Sequence, residues 1–228
     1  MKKLLFVHIP KTGGLSLNSE LTNVFGTQKC IRFGDHESVE KFKTHLSITE
    51  LKEYAYIIGH LPLNEFRAKG IDYPAVAILR NPIDRLLSMY NYLNQSDHPD
   101  HIQLKFEAID NFIDYILNND IYNNIQCQFI GAEKEHETSI HVVKNELIYV
   151  APLPFFKDMI ETLSQILGQP LQVIHINQGN KTQKYAEDRL VIEKKLTQYW
   201  EEDLKLYEFV QENYFDLKQR FLEKINIS

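Results

Sequence analysis

Leu4-Leu5-Phe6-Val7-His8-Ile9-Pro10-Lys11-Thr12-Gly13-Gly14-Leu15-Ser16-Leu17 joins an apolar run to a polar turn with two glycines and the first residue of a helical stripe. Leu4 to Val7 has the character of a strand covered on both faces, as in parallel sheets. Past the turn, Leu17, Leu21, Val24 and Phe25 recur at helical spacing. The unit therefore reads as strand, glycine loop, helix. Gly13 and Gly14 let the main chain turn tightly and bring N–H groups close to a ligand oxygen. The helix behind them offers unsatisfied N–H groups and the positive end of its dipole, which together suit an anion. Lys11 adds a point charge, and Thr12 and Ser16 add hydroxyl donors. A plain strand-to-helix turn with an exposed lysine would account for a lone Gly-Gly pair. The set Lys-Thr-Gly-Gly-Leu-Ser between strand and helix specifies more.

Outward from this unit, two further apolar runs end on polar residues. Tyr54 to Ile58 runs into Gly59-His60, and Ala75 to Leu79 runs into Arg80. In open parallel sheets, ligands bind beyond the carboxyl ends of the strands, so the loop, His60 and Arg80 point to one site. Asn81-Pro82 reads as an N-cap and a first-turn proline. The helix they open carries Ile83, Leu86, Leu87, Tyr90 and Leu93 on one stripe. Further helices are expected around Phe112, Tyr115 and Ile116, over Asn124 to Ile130, and from Phe155 to Leu167, closed by Gly168. Strands are expected at Leu147 to Val150 and Leu171 to Ile176. From about Glu187 the chain is charged and helical, with Trp200, Leu204, Tyr207 and Val210 as a packing stripe. Strands interleaved with helices predict an α/β fold with a central, mostly parallel sheet flanked by helices.

The 228 residues are 43% hydrophobic and 25% charged, and no Pro/Gly/Ser-rich linker divides them, so one domain over residues 1–228 is expected. A net charge of −6 argues against a nucleic-acid partner. Cys30 and Cys127 are too few for a disulfide framework and are expected to be free thiols, Cys127 in helix packing. No stretch is long and apolar enough to span a bilayer. The opening apolar run stops at His8 and Lys11, short of a signal-peptide core, so a cytoplasmic location is expected.

The nature of the anion follows from residue order. An ATP or GTP loop places its lysine after the glycines, whereas Lys11 precedes them. Where many nucleotide-hydrolysing enzymes carry an aspartate for magnesium, this chain has Arg80. Cations without a metal carboxylate suit a sulfuryl donor, because a sulfuryl group in transfer carries less negative charge than a phosphoryl group.

These residues resemble a known family. His8-Ile9-Pro10-Lys11-Thr12-Gly13-Gly14-x-Ser16 is similar to the 5′-phosphosulfate loop of sulfotransferase family 2, the heparan sulfate O-sulfotransferase-like group. Leu79-Arg80-Asn81-Pro82-x-x-Arg85-x-x-Ser88-x-Tyr90 resembles its 3′-phosphate motif. Asn124-x-Gln126-x-Gln128-Phe129-Ile130-Gly131 and Asp203-x-x-Leu206-Tyr207 resemble two later segments, although an arginine is common where Gln128 stands. The resemblance implies a P-loop-containing nucleotide-binding fold. It also implies transfer of a sulfuryl group from 3′-phosphoadenosine 5′-phosphosulfate (PAPS) to a hydroxyl of a small-molecule or carbohydrate acceptor, without a metal.

Roles follow from the resemblance residue by residue. Lys11 would hold the 5′-phosphosulfate and neutralise the leaving oxygen. The loop from Thr12 through Gly13, Gly14 and Leu15 to Ser16 would cradle the same group. Arg80 and Ser88 would bind the 3′-phosphate, Ser88 lying about 9 Å along the helix from Pro82 at ~1.5 Å per residue. Arg85 matches a motif position, with a structural salt bridge as the alternative. His60 occupies the place of the general base, and imidazole suits proton removal near neutral pH. His8 is expected to be a packed, hydrogen-bonded residue. His98 and His101 lie in a polar loop facing solvent or acceptor. The loop Asn177 to Lys184, with Lys181, either closes over the nucleotide or is a solvated turn. Tyr90, Tyr92 and Tyr122 either line an acceptor cleft or belong to the core. Two other readings stand beside this one: a kinase-like P-loop phosphotransferase, and a nucleotide-binding module without catalysis.

Overall fold

The computed structural model describes residues 3–94, 106–172 and 183–227. Within them, β1 (Leu4–Val7), β2 (Cys30–Phe33), β3 (Tyr56–Gly59), β4 (Ala75–Leu79) and β5 (Ile148–Pro152) form one sheet in the order β2-β3-β1-β4-β5. Every pairing is parallel, with Val7 opposite Gly59 and Phe6 opposite Val76. The α/β fold with a parallel central sheet is the one the alternation predicts. β1 lies at the centre and its four side chains are wholly buried, as the continuous apolar run requires.

The helices are α1 (Gly14–Phe25), α2 (His36–Thr44), α3 (Ile48–Lys52), α4 (Leu63–Ala68), α5 (Pro82–Leu93) and α6 (Ile109–Leu117). They continue with α7 (Ile125–Gly131), α8 (His136–Asn145), α9 (Phe156–Leu167), α10 (Gln183–Lys195), α11 (Glu201–Glu212) and α12 (Tyr214–Ile227). Alternate strand residues face opposite layers. Leu5, Val7, Ile57, Ala77 and Val150 share a core with Phe66 of α4, Ile130 of α7 and Leu206 of α11. Leu4, Phe6, Ile58, Ile78 and Tyr149 pack with Leu17 of α1, Met159 of α9 and Phe221 of α12. A third cluster joins α5, α6 and α10 through Leu86, Tyr90, Phe112, Ile116 and Ile192. An Arg189–Asp84 ion pair also ties α10 to α5.

The departures from the sequence reading have local causes. β2 was not expected, because only Phe33 of Cys30-Ile31-Arg32-Phe33 is buried and no apolar run marks this edge strand. β3 is displaced by one to two residues from Tyr54–Ile58, and β5 by one or two from Leu147–Val150. The expected strand Leu171 to Ile176 falls mainly on residues outside those described, and Leu171 and Gln172 carry no strand. α2 and α3 escape a periodicity search because each buries a single residue, Phe42 and Leu51. Their starts are set by capping: Asp35 accepts from the Ser38 N–H at 2.8 Å, and Ser47 and Glu50 form a reciprocal box. At the other end of a helix, Gly168 closes α9 at φ 67 as expected.

Candidate active site

The carboxyl ends of β1, β3 and β4 carry the residues that the sequence singled out. After β1 the chain turns with Lys11 at φ 69 and Gly13 at φ 93, both left-handed. Thr12 is buried, and its hydroxyl donates to the Ile9 carbonyl at 2.9 Å. Its proton is thus spent inside the loop, so the side chain braces the turn and is not the ligand donor expected from sequence. Gly13 is exposed and is the N-cap of α1, where no side chain caps the helix and no acidic residue occupies the first turn. With no acidic side chain in that turn, the dipole keeps its positive end. Gly14 is required by packing. A Cβ there would lie 2.4 Å from Cδ2 and 2.5 Å from Nε2 of His8, and 2.8 Å from the Phe6 ring. Leu15 points outward, and Ser16 is half-buried.

Lys11 and Arg80 meet. The Arg80 guanidinium donates to the Lys11 carbonyl at 3.2 Å, and the Lys11 ammonium stands 3.8 Å from the centre of the Tyr92 ring. Burial, with a smaller contribution from Arg80, brings the Lys11 pKa down to about 8. Of the three tyrosines considered for a cleft, Tyr92 reaches this site. Tyr90 is buried in the third cluster, and the Tyr122 hydroxyl pairs with that of Tyr115 at 3.1 Å.

Arg80 is held from behind. Its N–H donates to the Gln126 side-chain oxygen at 2.9 Å, and the Gln126 amide nitrogen donates back to the Arg80 carbonyl at 2.9 Å. The main-chain N–H groups of Gln126 and Cys127 donate to the two carboxylate oxygens of Asp203 at 3.1 and 2.8 Å. Asp203 is itself fixed through its N–H by the Asn124 side chain at 3.0 Å. Arg85 is wholly buried, and Asp203 is the leading charge that favours its guanidinium. The salt bridge that stood as the alternative for Arg85 is not closed: none of the three guanidinium nitrogens has a hydrogen-bond partner among the described residues. Burial pushes both groups toward their neutral forms and each opposes this in the other.

On the other flank, His60 follows β3 and His8 follows β1. His60 Nε2 and His8 Nδ1 share a hydrogen bond of 3.0 Å, and His8 stacks on Phe6 with ring centres 5.2 Å apart. His8 is the packed, hydrogen-bonded residue that the sequence suggests. Its pKa falls to about 3, through burial first and then through the charges of His60, Arg32 and Lys11. Burial and Arg32 also lower His60, against a hydrogen bond to the Gly34 backbone and the charge of Asp35. Both imidazoles are therefore neutral at pH 7, the form that can accept a proton.

Ser88 is half-buried on α5, two turns beyond Asn81, whose side chain caps that helix at 3.2 and 3.3 Å. Lys181, His98 and His101 lie outside the described residues, as do residues 177–182 of the loop ending at Lys184. Cys127 is buried and Cys30 half-buried, both unbridged. One set of potential cation ligands exists among the described residues: His136, Glu137 and Glu202, on α8 and α11. There Glu202 already shares a 2.6 Å hydrogen bond with the His136 ring and pairs with Lys205. Among the described residues, no helix is long and apolar enough to cross a membrane. The positions of Gln126 and Asp203 behind Arg80 were missed from sequence. The available signal was that both residues lie in segments resembling the family, Asn124-x-Gln126 and Asp203-x-x-Leu206-Tyr207, and that each is a polar residue on a helix that packs on the sheet.

Among solved structures, the chain is similar to a sulfotransferase from Alicyclobacillus acidocaldarius, at 15% identity and a TM-score of 0.52, over 92% of this chain and 95% of that one. It also aligns with mouse sulfotransferase SULT7A1, determined in complex with PAP, at 18% identity and a TM-score of 0.46, over 75% of this chain. The aligned region spans 60% of the length of the mouse protein. At such identities the likeness to the bacterial structure concerns the fold. No protein of curated function matches the chain by sequence. The sequence model of the sulfotransferase family matches residues 1–210, a span that includes the glycine loop, His60, Arg80 and the Gln126–Asp203 support. The chain belongs to the sulfotransferase family.

Proposed function

We propose that this chain is a sulfotransferase that moves the sulfuryl group of PAPS to a hydroxyl of a small-molecule or carbohydrate acceptor, and that residues 1–228 form one such domain. The observation that carries the reading is the meeting of two strand ends that each deliver a cation: the Arg80 guanidinium, beyond β4, reaches the Lys11 main-chain carbonyl, beyond β1, at 3.2 Å. The glycine loop fits a phosphosulfate: no side chain caps the N-terminus of α1, and Gly13, exposed and left-handed, puts no side chain there. When bound, PAPS supplies the electrophilic sulfur and a good leaving group. Lys11, with the main-chain N–H groups from Thr12 to Leu15 and the Ser16 hydroxyl, would hold the 5′ end and neutralise charge on the departing oxygen. Arg80, Ser88 and Lys181 would bind the 3′-phosphate and close the nucleotide site.

His60 would take the proton of the acceptor hydroxyl as its oxygen bonds to sulfur in line and the bond from sulfur to the 5′-phosphate oxygen breaks. In this role it would exchange its contact with His8 for the acceptor. The ring contact favours one second reading. With His60 Nε2 engaged, the imidazole edge at the glycine loop is that of His8, whose Cδ2 and Nε2 lie against Gly14. Labelled PAPS, offered with sugars, phenols, lipids and peptides in the presence of EDTA, should transfer label to at least one acceptor class. Binding of PAP without transfer to any acceptor would indicate a module without catalysis. Magnesium-dependent ATP binding in place of PAP binding would indicate the kinase-like reading. His60→Ala losing turnover while His8→Ala keeps it identifies the base, and the reverse pattern transfers that role to His8.

A further inference from the structure

We infer that Gln126 is a positioning residue for the nucleotide 3′-phosphate, acting through Arg80, and that Asp203 sets Gln126 in place. The inference rests on the reading of Arg80 as the 3′-phosphate ligand. Arg80 is the first residue beyond β4, where the ladder to β5 ends with Leu79 opposite Pro152. Its main-chain N–H and C=O therefore lie beyond the end of that ladder. Both are taken up by one side chain, the wholly buried Gln126, in two 2.9 Å hydrogen bonds of opposite sense. A primary amide can do this because it offers a donor and an acceptor side by side. The pair fixes the peptide planes on both sides of the Arg80 Cα, and with them the direction in which the side chain leaves the wall. The guanidinium then needs only its own torsions to reach the Lys11 carbonyl.

The amide is itself anchored. Asp203 accepts from the Gln126 and Cys127 N–H groups at the start of α7, the favoured place for a carboxylate. It comes from α11, 77 residues further along the chain, and the Asn124 side chain accepts both the Glu202 and Asp203 N–H groups at 3.1 and 3.0 Å. Arg85 on α5, the helix that Arg80 and Asn81 lead into, is wholly buried, and the charge of Asp203 favours its guanidinium against the cost of that burial. A circuit of β4, α7, α11 and α5 thus closes behind a single arginine.

The test is calorimetric titration with PAP and with AMP, which differs only in lacking the 3′-phosphate. Gln126→Met keeps volume and removes both hydrogen bonds. It should weaken PAP about tenfold, the loss that one to two hydrogen bonds of buried groups would cause, and leave AMP unchanged. In an Arg80→Ala background the same substitution should have no further effect on PAP. Gln126→Glu keeps the acceptor for the Arg80 N–H and loses the donor to its carbonyl, so it should fall between wild type and Gln126→Met, and it serves should Gln126→Met not fold. A wild type that prefers PAP, with both variants keeping that preference in full, overturns the positioning role alone. An undiminished loss in the Arg80→Ala background also overturns it. A wild type that binds PAP and AMP equally removes the 3′-phosphate reading of Arg80, and the inference with it.

Discussion

The two sides of the proposed nucleotide site are held in place by different means. On the β1 side, the loop shapes itself: Lys11 and Gly13 take left-handed conformations, and Thr12 bonds back three residues to Ile9. On the β4 side, Arg80 is placed by residues 46 and 123 positions further along the chain, Gln126 directly and Asp203 through it. The first is a local device, determined by the conformational freedom of a few consecutive residues. The second exists only when four elements have packed. A loop of the first kind can be recognised in any sequence that contains it, whereas the second kind is visible only in the folded chain.

The largest expected effect bears on the flank next to the loop. His60→Ala should lower turnover by about 10²–10⁴-fold, the usual contribution of a general base, with PAP affinity retained in calorimetry. Parallel loss of turnover and PAP affinity would show that the histidine pair supports the loop and is not the base. The His60 pKa is lowered from 6.5. The neutral form therefore persists as pH falls through 6.5, and the acid limb of kcat/KM should lie below that value.

Next in size is the cation of the β4 side. Arg80→Ala removes charge-assisted hydrogen bonds of ~1.5–3 kcal/mol, so PAP binding should weaken by roughly 10–150-fold while AMP changes little. Equal weakening of the two nucleotides would make Arg80 part of the 5′ side and erase the distinction between the two regions.

The local device is tested by Gly14→Ala. With atoms of His8 and Phe6 at 2.4–2.8 Å from the new methyl group, overpacking should cost about 1–3 kcal/mol, read as a lower Tm. Unchanged stability would mean that the His8 ring can leave its place, and that the loop and the histidine pair are less coupled than their contact suggests.

The smallest effect concerns pH. Lys11 has a folded pKa of about 8 in the free protein, and an anion bound beside it will raise that value. The sign follows from linkage: below 8 the lysine is already charged and PAP affinity is flat, and above 8 binding must take up a proton, so affinity falls by up to ~10-fold per pH unit. Calorimetry in buffers of different ionisation enthalpy should detect that proton uptake. Affinity constant to about pH 10 would leave Lys11 outside the phosphosulfate site.

Legibility followed the same division. The run Leu4 to Val7, the glycine turn and the stripe of α1 are contiguous, so apolar pattern and turn chemistry suffice to read them. The same holds for Ala75 to Leu79 with Arg80 at its end, and for the Asn81-Pro82 start of α5. β2 could not be read, because an edge strand with one buried residue in four carries no apolar signal. Thr12 misled in a small way: a hydroxyl beside two glycines looks like a ligand donor, and only the 2.9 Å bond to Ile9 shows where its proton goes. Arg85 was left open between motif residue and salt bridge. It proves to be wholly buried, favoured by the charge of Asp203, and without a hydrogen-bond partner among the described residues.

By itself the sequence determined the parallel sheet, the glycine loop at Lys11 to Ser16 and the polar ends of three strands, because each rests on residues within one turn or one strand of each other. The tertiary structure alone decided that Lys11 and Arg80 would touch, that His8 would occupy His60, that Tyr92 would lie on the Lys11 ammonium, and that Gln126 would hold Arg80. Each of those contacts joins residues about 46 to 81 positions apart in the chain. Hydrogen bonds and ring contacts act over a few ångströms, so which distant residues share one depends on how the helices pack on the sheet, and not on any local pattern.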